Sequence, residues 1–159
     1  MQSIKIAFYL GERKRNPKAS VLDRLICFFT DAPYSHVELV HQFDEYSRIG
    51  HCWGASAPDK GVRPKAINLD PSRWEVYHIK DYKDLPEINE WFKPHQGKSY
   101  DWIGALGVKL CFLRHHPNKL FCSEVAAMYL DAAGKPERYS PIQLFKVLSP
   151  HLVLIDPIA

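Results

Sequence analysis

The sequence predicts an α+β domain in which a mostly antiparallel sheet packs against helices. Three observations point there. Read along the chain, the elements run strand, helix, a series of strands, then helices, an order that favours a segregated rather than an alternating α/β architecture. Successive strand-like runs are separated by short polar turns, the spacing of antiparallel neighbours. The 159 residues, without repeats, low-complexity tracts or a long linker, suit one compact unit, so residues 1–159 are read as a single domain.

Each element has its own local warrant. In "SIKIAFYL", Ile4, Ile6 and Phe8 alternate onto one face, which reads as the first strand. "GERKRNPK" follows as a turn or loop, punctuated by Gly11 and Pro17 and carrying Arg13, Lys14, Arg15 and Lys18. "SVLDRLICFF" reads as a helix with Ser20 at the N-cap and Asp23 closing a capping box. Its apolar stripe is expected to be Val21, Leu22, Leu25, Ile26 and Phe29. "HVELVHQF" and "RIGHCWGA", joined by the polar turn "DEYS", read as an antiparallel pair. "SAPDKGVRPK" reads as a loop marked by Pro and Gly, and "RWEVYHI" as another strand.

A helix is expected to open at Asp84 or Leu85 with Pro86 in its first turn, to present Ile88, Trp91, Phe92 and His95, and to stop at Gly97. "YDWIGALGVKLCFL" reads as an apolar helix loosened by Gly104 and Gly107, and "RHHPNK" as a loop. "CSEVAAMYLDAAG" reads as a helix closed by glycine. "SPIQLFKVL" has Ser140 at N-cap, Pro141 at N1 and Gln143 at N3, and "HLVLID" is a closing strand.

Composition narrows the function classes. Hydrophobic residues make up 46% and charged residues 25%, an ordinary globular balance. The formal net charge of +3 is too small to argue for nucleic acid, and the basic run at 13–18 has no interleaved aromatic stacking platform, so no specific nucleic-acid partner is expected. No apolar run approaches the roughly 18 residues of a membrane span, and "MQSIKIAFYL" lacks the pattern of a secretory signal. The four scattered cysteines, Cys27, Cys52, Cys111 and Cys122, do not resemble a disulfide framework. A cytoplasmic setting with reduced thiols is the expectation.

Chemistry concentrates at Cys122. A cysteine in an Ala-rich helix is ordinarily a small core residue. This one stands where the helix begins, where unpaired backbone N–H groups and the positive end of the helix dipole favour thiolate. A nucleophilic thiol also needs a nearby imidazole to hold its proton. Among eight histidines, His36 in "YSHVELV" heads an apolar strand and shares a face with Glu38 and Val40.

"YSHVELV", followed by "GKSYDWIGALG" and "LFCSEVAAMYL", resembles the circularly permuted branch of the NlpC-type cysteine peptidase superfamily, which includes relatives of lecithin–retinol acyltransferase. "GASAPDKGVRPKAI" resembles the loop after the second core strand in phage and bacterial members, and the resemblance spans roughly residues 4 to 133. It implies a papain-like fold in which the histidine precedes the cysteine, with Cys122 as nucleophile and His36 as general base. Tyr100 in "GKSYD" would help shape the oxyanion pocket. The residue orienting the histidine is left open among His51, Ser56 and Glu38, because folding the two strands about Asp44 brings residues 51–53 roughly opposite His36. No cofactor is implied.

The activity implied is hydrolysis of an amide or peptide bond, with peptidoglycan stem peptides as the superfamily's usual substrate and a phage-encoded, virion-associated or cytosolic bacterial setting. A small peptide, a muropeptide or a lipid-like acyl compound is the expected partner. A lipid acyl hydrolase or acyltransferase, or a non-catalytic binding module on the same fold, are the rivals. Zinc is weighed at Cys111, His115, His116 and Cys122, but the spacing offers no tight ligand pair, and no metal is expected.

Overall fold

The computed structural model describes residues 4–11, 20–82, 84–101, 118–132, 135–136 and 139–155. Its architecture is α+β. Strands β1 (Lys5–Leu10), β2 (Tyr34–Asp44), β3 (Ile49–Ser56), β4 (Gly61–Asn68), β5 (Trp74–Ile79), β6 (Ser99–Tyr100), β7 (Lys119–Leu120) and β8 (Leu152–Leu154) form one sheet in the order β7-β6-β4-β3-β2-β1-β5-β8. Every pairing is antiparallel except β6 with β7. Among the described residues the helices are α1 (Val21–Thr30), α2 (Ile88–Phe92), α3 (Cys122–Tyr129) and α4 (Pro141–Leu148). No helix among these residues is long and apolar enough to cross a membrane.

The helix starts follow from their capping residues. Ser20 Oγ accepts from the Asp23 N–H at 3.2 Å while Asp23 Oδ2 accepts from the Ser20 N–H at 2.9 Å. Ser140 and Gln143 repeat the exchange at α4, behind Pro141. The end of α1 is set by Asp31, whose left-handed φ of 51° lets its N–H reach back to the last carbonyls.

The main core lies between one sheet face and helices α2, α3 and α4. It joins Ile6 and Phe8 of β1, Val37 and Leu39 of β2, Phe92, Val125 and Leu144. Trp53 stacks on Phe92 at 4.9 Å and donates its indole N–H to Asn89 Oδ1, which ties β3 to α2. A smaller cluster on the opposite face includes Ala7, Val40, Cys52, Leu69 and Trp74.

Three expectations are corrected. The loop read over 56–65 holds only as far as residue 60: Gly61–Asn68 form β4 along the full length of β3. Pro64 is tolerated because, among the described residues, only Gly61 of β4 pairs with β6; further along, the missing N–H interrupts no ladder. The helix read from Asp84 or Leu85 starts at Ile88 with Glu87 as cap, and Lys93–His95 continues it as a 3₁₀ turn before Gly97.

The α1 stripe is also different. Ile26 and Cys27 are buried, whereas Val21, Leu25 and Phe28 are 69%, 42% and 77% exposed. The Cys27 thiol donates to the Pro33 carbonyl, and Asp23 Oδ1 accepts from Ser35 Oγ at 2.8 Å, so tertiary bonds to the start of β2 choose the buried side. The basic run 13–18, the helix read at 100–113 beyond Asp101, Cys111, His115, His116 and the side chain of Phe29 lie outside the described residues.

Candidate functional site

Cys122 is the first residue of α3, as its sequence context predicts, and is 3% exposed within the main core. Phe121 precedes it in extended conformation, and its N–H donates to Glu124 Oε2 at 3.2 Å, so the helix start carries its own carboxylate cap. Ser123 Oγ donates to the Tyr139 carbonyl at 2.6 Å, anchoring this turn to the segment before α4.

His36 stands near the start of β2, opposite Tyr9 of β1. Its ring is 18% exposed, packs edge-on to Trp74 at 6.1 Å, and places Nε2 2.7 Å from Glu38 Oε1. The two side chains share a face because they are two residues apart on one strand. Cys122, at the head of α3, is near enough to act electrostatically on His36, while Glu38 bonds the ring directly. Burial pulls the His36 pKa down, but the charge and hydrogen bond of Cys122, then those of Glu38, outweigh it and raise the value to about 10.

Glu38 is fully buried, and a lone buried carboxylate would be costly. Arg63 on β4 resolves the problem with a two-pronged pair: Nη1 donates to Oε2 at 2.9 Å and Nη2 to Oε1 at 2.8 Å. Burial acts to raise the Glu38 pKa, but hydrogen bonds and charges from His36 and Arg63 hold the carboxyl below its usual range. Arg63 Nε in turn donates to Asp59 Oδ2 at 2.8 Å, and Lys65 Nζ meets Asp59 Oδ1 at 2.7 Å. Despite some desolvation, these two cations bring the Asp59 carboxyl down to about 2.

Strand register makes room for the carboxylate. Ala7 pairs with Glu38 and Gly54 pairs with Arg63, while the Leu39–Trp53 pairing brings Gly54 level with Glu38. A Cβ on Gly54 would sit 2.3 Å from Glu38 Oε2, so glycine is required there by close approach. The row Ala7, Glu38, Gly54, Arg63 therefore places a long acid and a long base across two positions with little or no side chain.

Tyr100, at the end of β6, is buried and hydrogen-bonds Cys122. Its phenol is pushed well above the ordinary value, first by burial and then by Cys122 and Asp23, so it stays protonated. His36, Tyr100, Glu38, Arg63 and Ser56 all line one cleft of about 810 Å³ between α1 and the sheet. Val21, Leu22, Ile26, Ile67 and Trp74 give it an apolar wall.

Of the three candidates for orienting the histidine, Glu38 is the one whose side chain hydrogen-bonds the ring. The register overturns the expected pairing: His51 faces Gln42 rather than His36, is exposed, and has its ring 6.2 Å from His41. Ser56 lines the same cleft, paired with Gly61. Arg63, Gly54 and Trp74 were missed in the sequence. Arg63 and Gly54 become recognisable only once residues 61–68 are paired with β3. Among the described residues no group of three metal-binding side chains comes together. No protein-family model matches the chain, and no curated protein matches it.

Proposed function

We infer that the chain is a cysteine hydrolase of acyl bonds, most simply an amidase or peptidase, on a circularly permuted papain-like fold. The observation that carries this reading is the His36 imidazole bonded to the buried Glu38 carboxylate and acted on electrostatically by Cys122 at the head of α3. Cys122 passes its proton to His36, and the thiolate attacks the carbonyl carbon of the substrate. The backbone N–H groups at the head of α3 and the protonated Tyr100 hydroxyl stabilise the oxyanion. His36 protonates the departing amine, leaving a thioester on Cys122. Water then attacks, its proton passes to His36, and the acid leaves as the thiol re-forms.

Glu38 keeps the imidazole ring fixed and stabilises its protonated form. Peptides and muropeptides are the first substrates to assay. The apolar wall of the cleft supports a second reading in which the acyl group is a lipid chain. Release of free fatty acid from phospholipid without cleavage of muropeptide selects it.

The test of the mechanism needs no substrate. Iodoacetamide labelling of each cysteine is followed by mass spectrometry against pH, in wild type and His36→Ala. Cys122 is expected to label fast below about pH 7, ahead of buried Cys27 and Cys52, and to lose this in the variant. If Cys122 labels no faster than Cys52 whatever stands at position 36, the nucleophile assignment is wrong and a binding module becomes the better description.

A further inference from the structure

We propose that Arg63 is a positioning residue for His36, acting through Glu38: its guanidinium holds the buried carboxylate ionised and aimed at the imidazole, with Gly54 as the slot and Asp59 as the outer anchor. The inference rests on the thiol–imidazole reading for its kinetic consequence, though the clamp itself is independent of substrate.

Four observations carry it. Glu38 uses Oε1 twice, for His36 at 2.7 Å and Arg63 at 2.8 Å, so its lone pairs are shared between the base and the cation. Oε2 is taken by the second prong of the same guanidinium, at 2.9 Å, which sets the plane of the carboxylate and hence the direction offered to the ring. Gly54 provides the slot the carboxylate fills: a Cβ there would lie 2.3 Å from Oε2, and the Gly54 carbonyl lies 3.5 Å from Arg63 Nη1. Arg63 is itself held from outside by Asp59, which Lys65 also grips.

The alternative is that Arg63 only neutralises a buried acid, with no influence on the imidazole. The two roles part at the proton. Around His36 stand Cys122 of α3 and Glu38 of its own strand; around Glu38 stand Arg63 of β4 and, further off, Cys52 of β3; Asp59 faces both Arg63 and Lys65, and Tyr100 faces Cys122. Loss of the guanidinium lets Glu38 take up a proton or turn away. Either event deprives His36 of its anionic partner and lowers its proton affinity.

The experiment follows two signals in one set of proteins: the His36 ring by NMR titration, and Cys122 alkylation against pH. Arg63→Ala is expected to lower the His36 pKa by about one unit and slow Cys122 labelling near pH 6 by about tenfold. Because Arg63 lines the cleft, added methylguanidinium is expected to restore both signals. Asp59→Asn, a near-isosteric change at a partly exposed position, removes the outer anchor and a negative charge. It is expected to shift both signals in the same direction by about twofold to threefold.

If folded Arg63→Ala titrates and labels as wild type does, or if Asp59→Asn moves neither signal, the clamp is refuted. Should Arg63→Ala fail to fold, Asp59→Asn decides alone. A His36→Ala control that leaves Cys122 labelling unchanged refutes the hydrolase reading instead, so the two failures are separate.

Discussion

Gly54→Ala tests the packing around Glu38 directly. The new methyl would lie 2.3 Å from Oε2 and 2.8 Å from Cδ of Glu38, closer than real Cβ contacts come. Oε2 is bonded to Arg63 at 2.9 Å and Oε1 to Arg63 and His36, so the carboxylate moves only by breaking a charged hydrogen bond. Overpacking costs about 1–3 kcal/mol and a lost bond to a charged group about 1.5–3 kcal/mol. Removing a glycine from a strand returns about 0.5–1 kcal/mol. The net destabilisation is about 1.5–5.5 kcal/mol, which for a chain of this length lowers Tm by roughly 3–22 °C. Thermal unfolding followed by circular dichroism reads it, in wild type and in Glu38→Ala. With the carboxylate gone the methyl has space, so Gly54→Ala is expected to be neutral or mildly stabilising in that background, giving a coupling of about 2–6 kcal/mol. An equal cost in both backgrounds, or a wild-type cost below about 0.5 kcal/mol, would mean that Glu38 does not occupy the slot as described.

Other expectations follow from the same contacts. Gly97→Ala meets nothing within 4 Å, but its φ of +83° makes any side chain strained; a loss of about 1 kcal/mol is expected, read from the urea midpoint. Ser20→Ala removes the α1 capping box and is expected to cost about 1 kcal/mol and to raise hydrogen exchange in the first turn of α1, the cleft wall. Trp53→Phe forfeits the bond to Asn89 at 2.8 Å and is expected to cost about 1 kcal/mol, with chemical-shift changes confined to β3 and α2. Stability is expected to fall at both ends of the pH scale. Glu38, whose folded pKa is below its ordinary 4.5, contributes fully above that value and loses its contribution as pH falls through the folded pKa. His36, raised from 6.5 to about 10, contributes fully below 6.5 and loses its contribution as pH rises through 10. Urea unfolding of Glu38→Gln is expected to flatten the acid limb, and of His36→Asn the alkaline limb; unchanged limbs refute the assignment.

The sequence by itself determined the elements whose signals are local. Ser20 with Asp23 and Ser140 with Gln143 are caps complete within four residues, and both helices begin where those residues stand. The β2–β3 pair was legible from two apolar runs about one polar turn, and the position of Cys122 at a helix start from the loop before it and the Ala-rich run after it. His36 was legible as a candidate partner, and Glu38, two residues on, as one of three candidate orienting residues. The tertiary structure decided the rest. Residues 61–68 became a strand because β3 offered a partner, overriding Pro64, and the choice among Glu38, Ser56 and His51 turned on strand register. The buried side of α1 was chosen by bonds to β2, not by its own periodicity. Arg63 reaches Glu38 across 25 positions of chain, through the gap left at Gly54. Caps and turns depend on atoms a few bonds apart, whereas an ion pair in a buried slot depends on how three strands align, which no short stretch of sequence encodes.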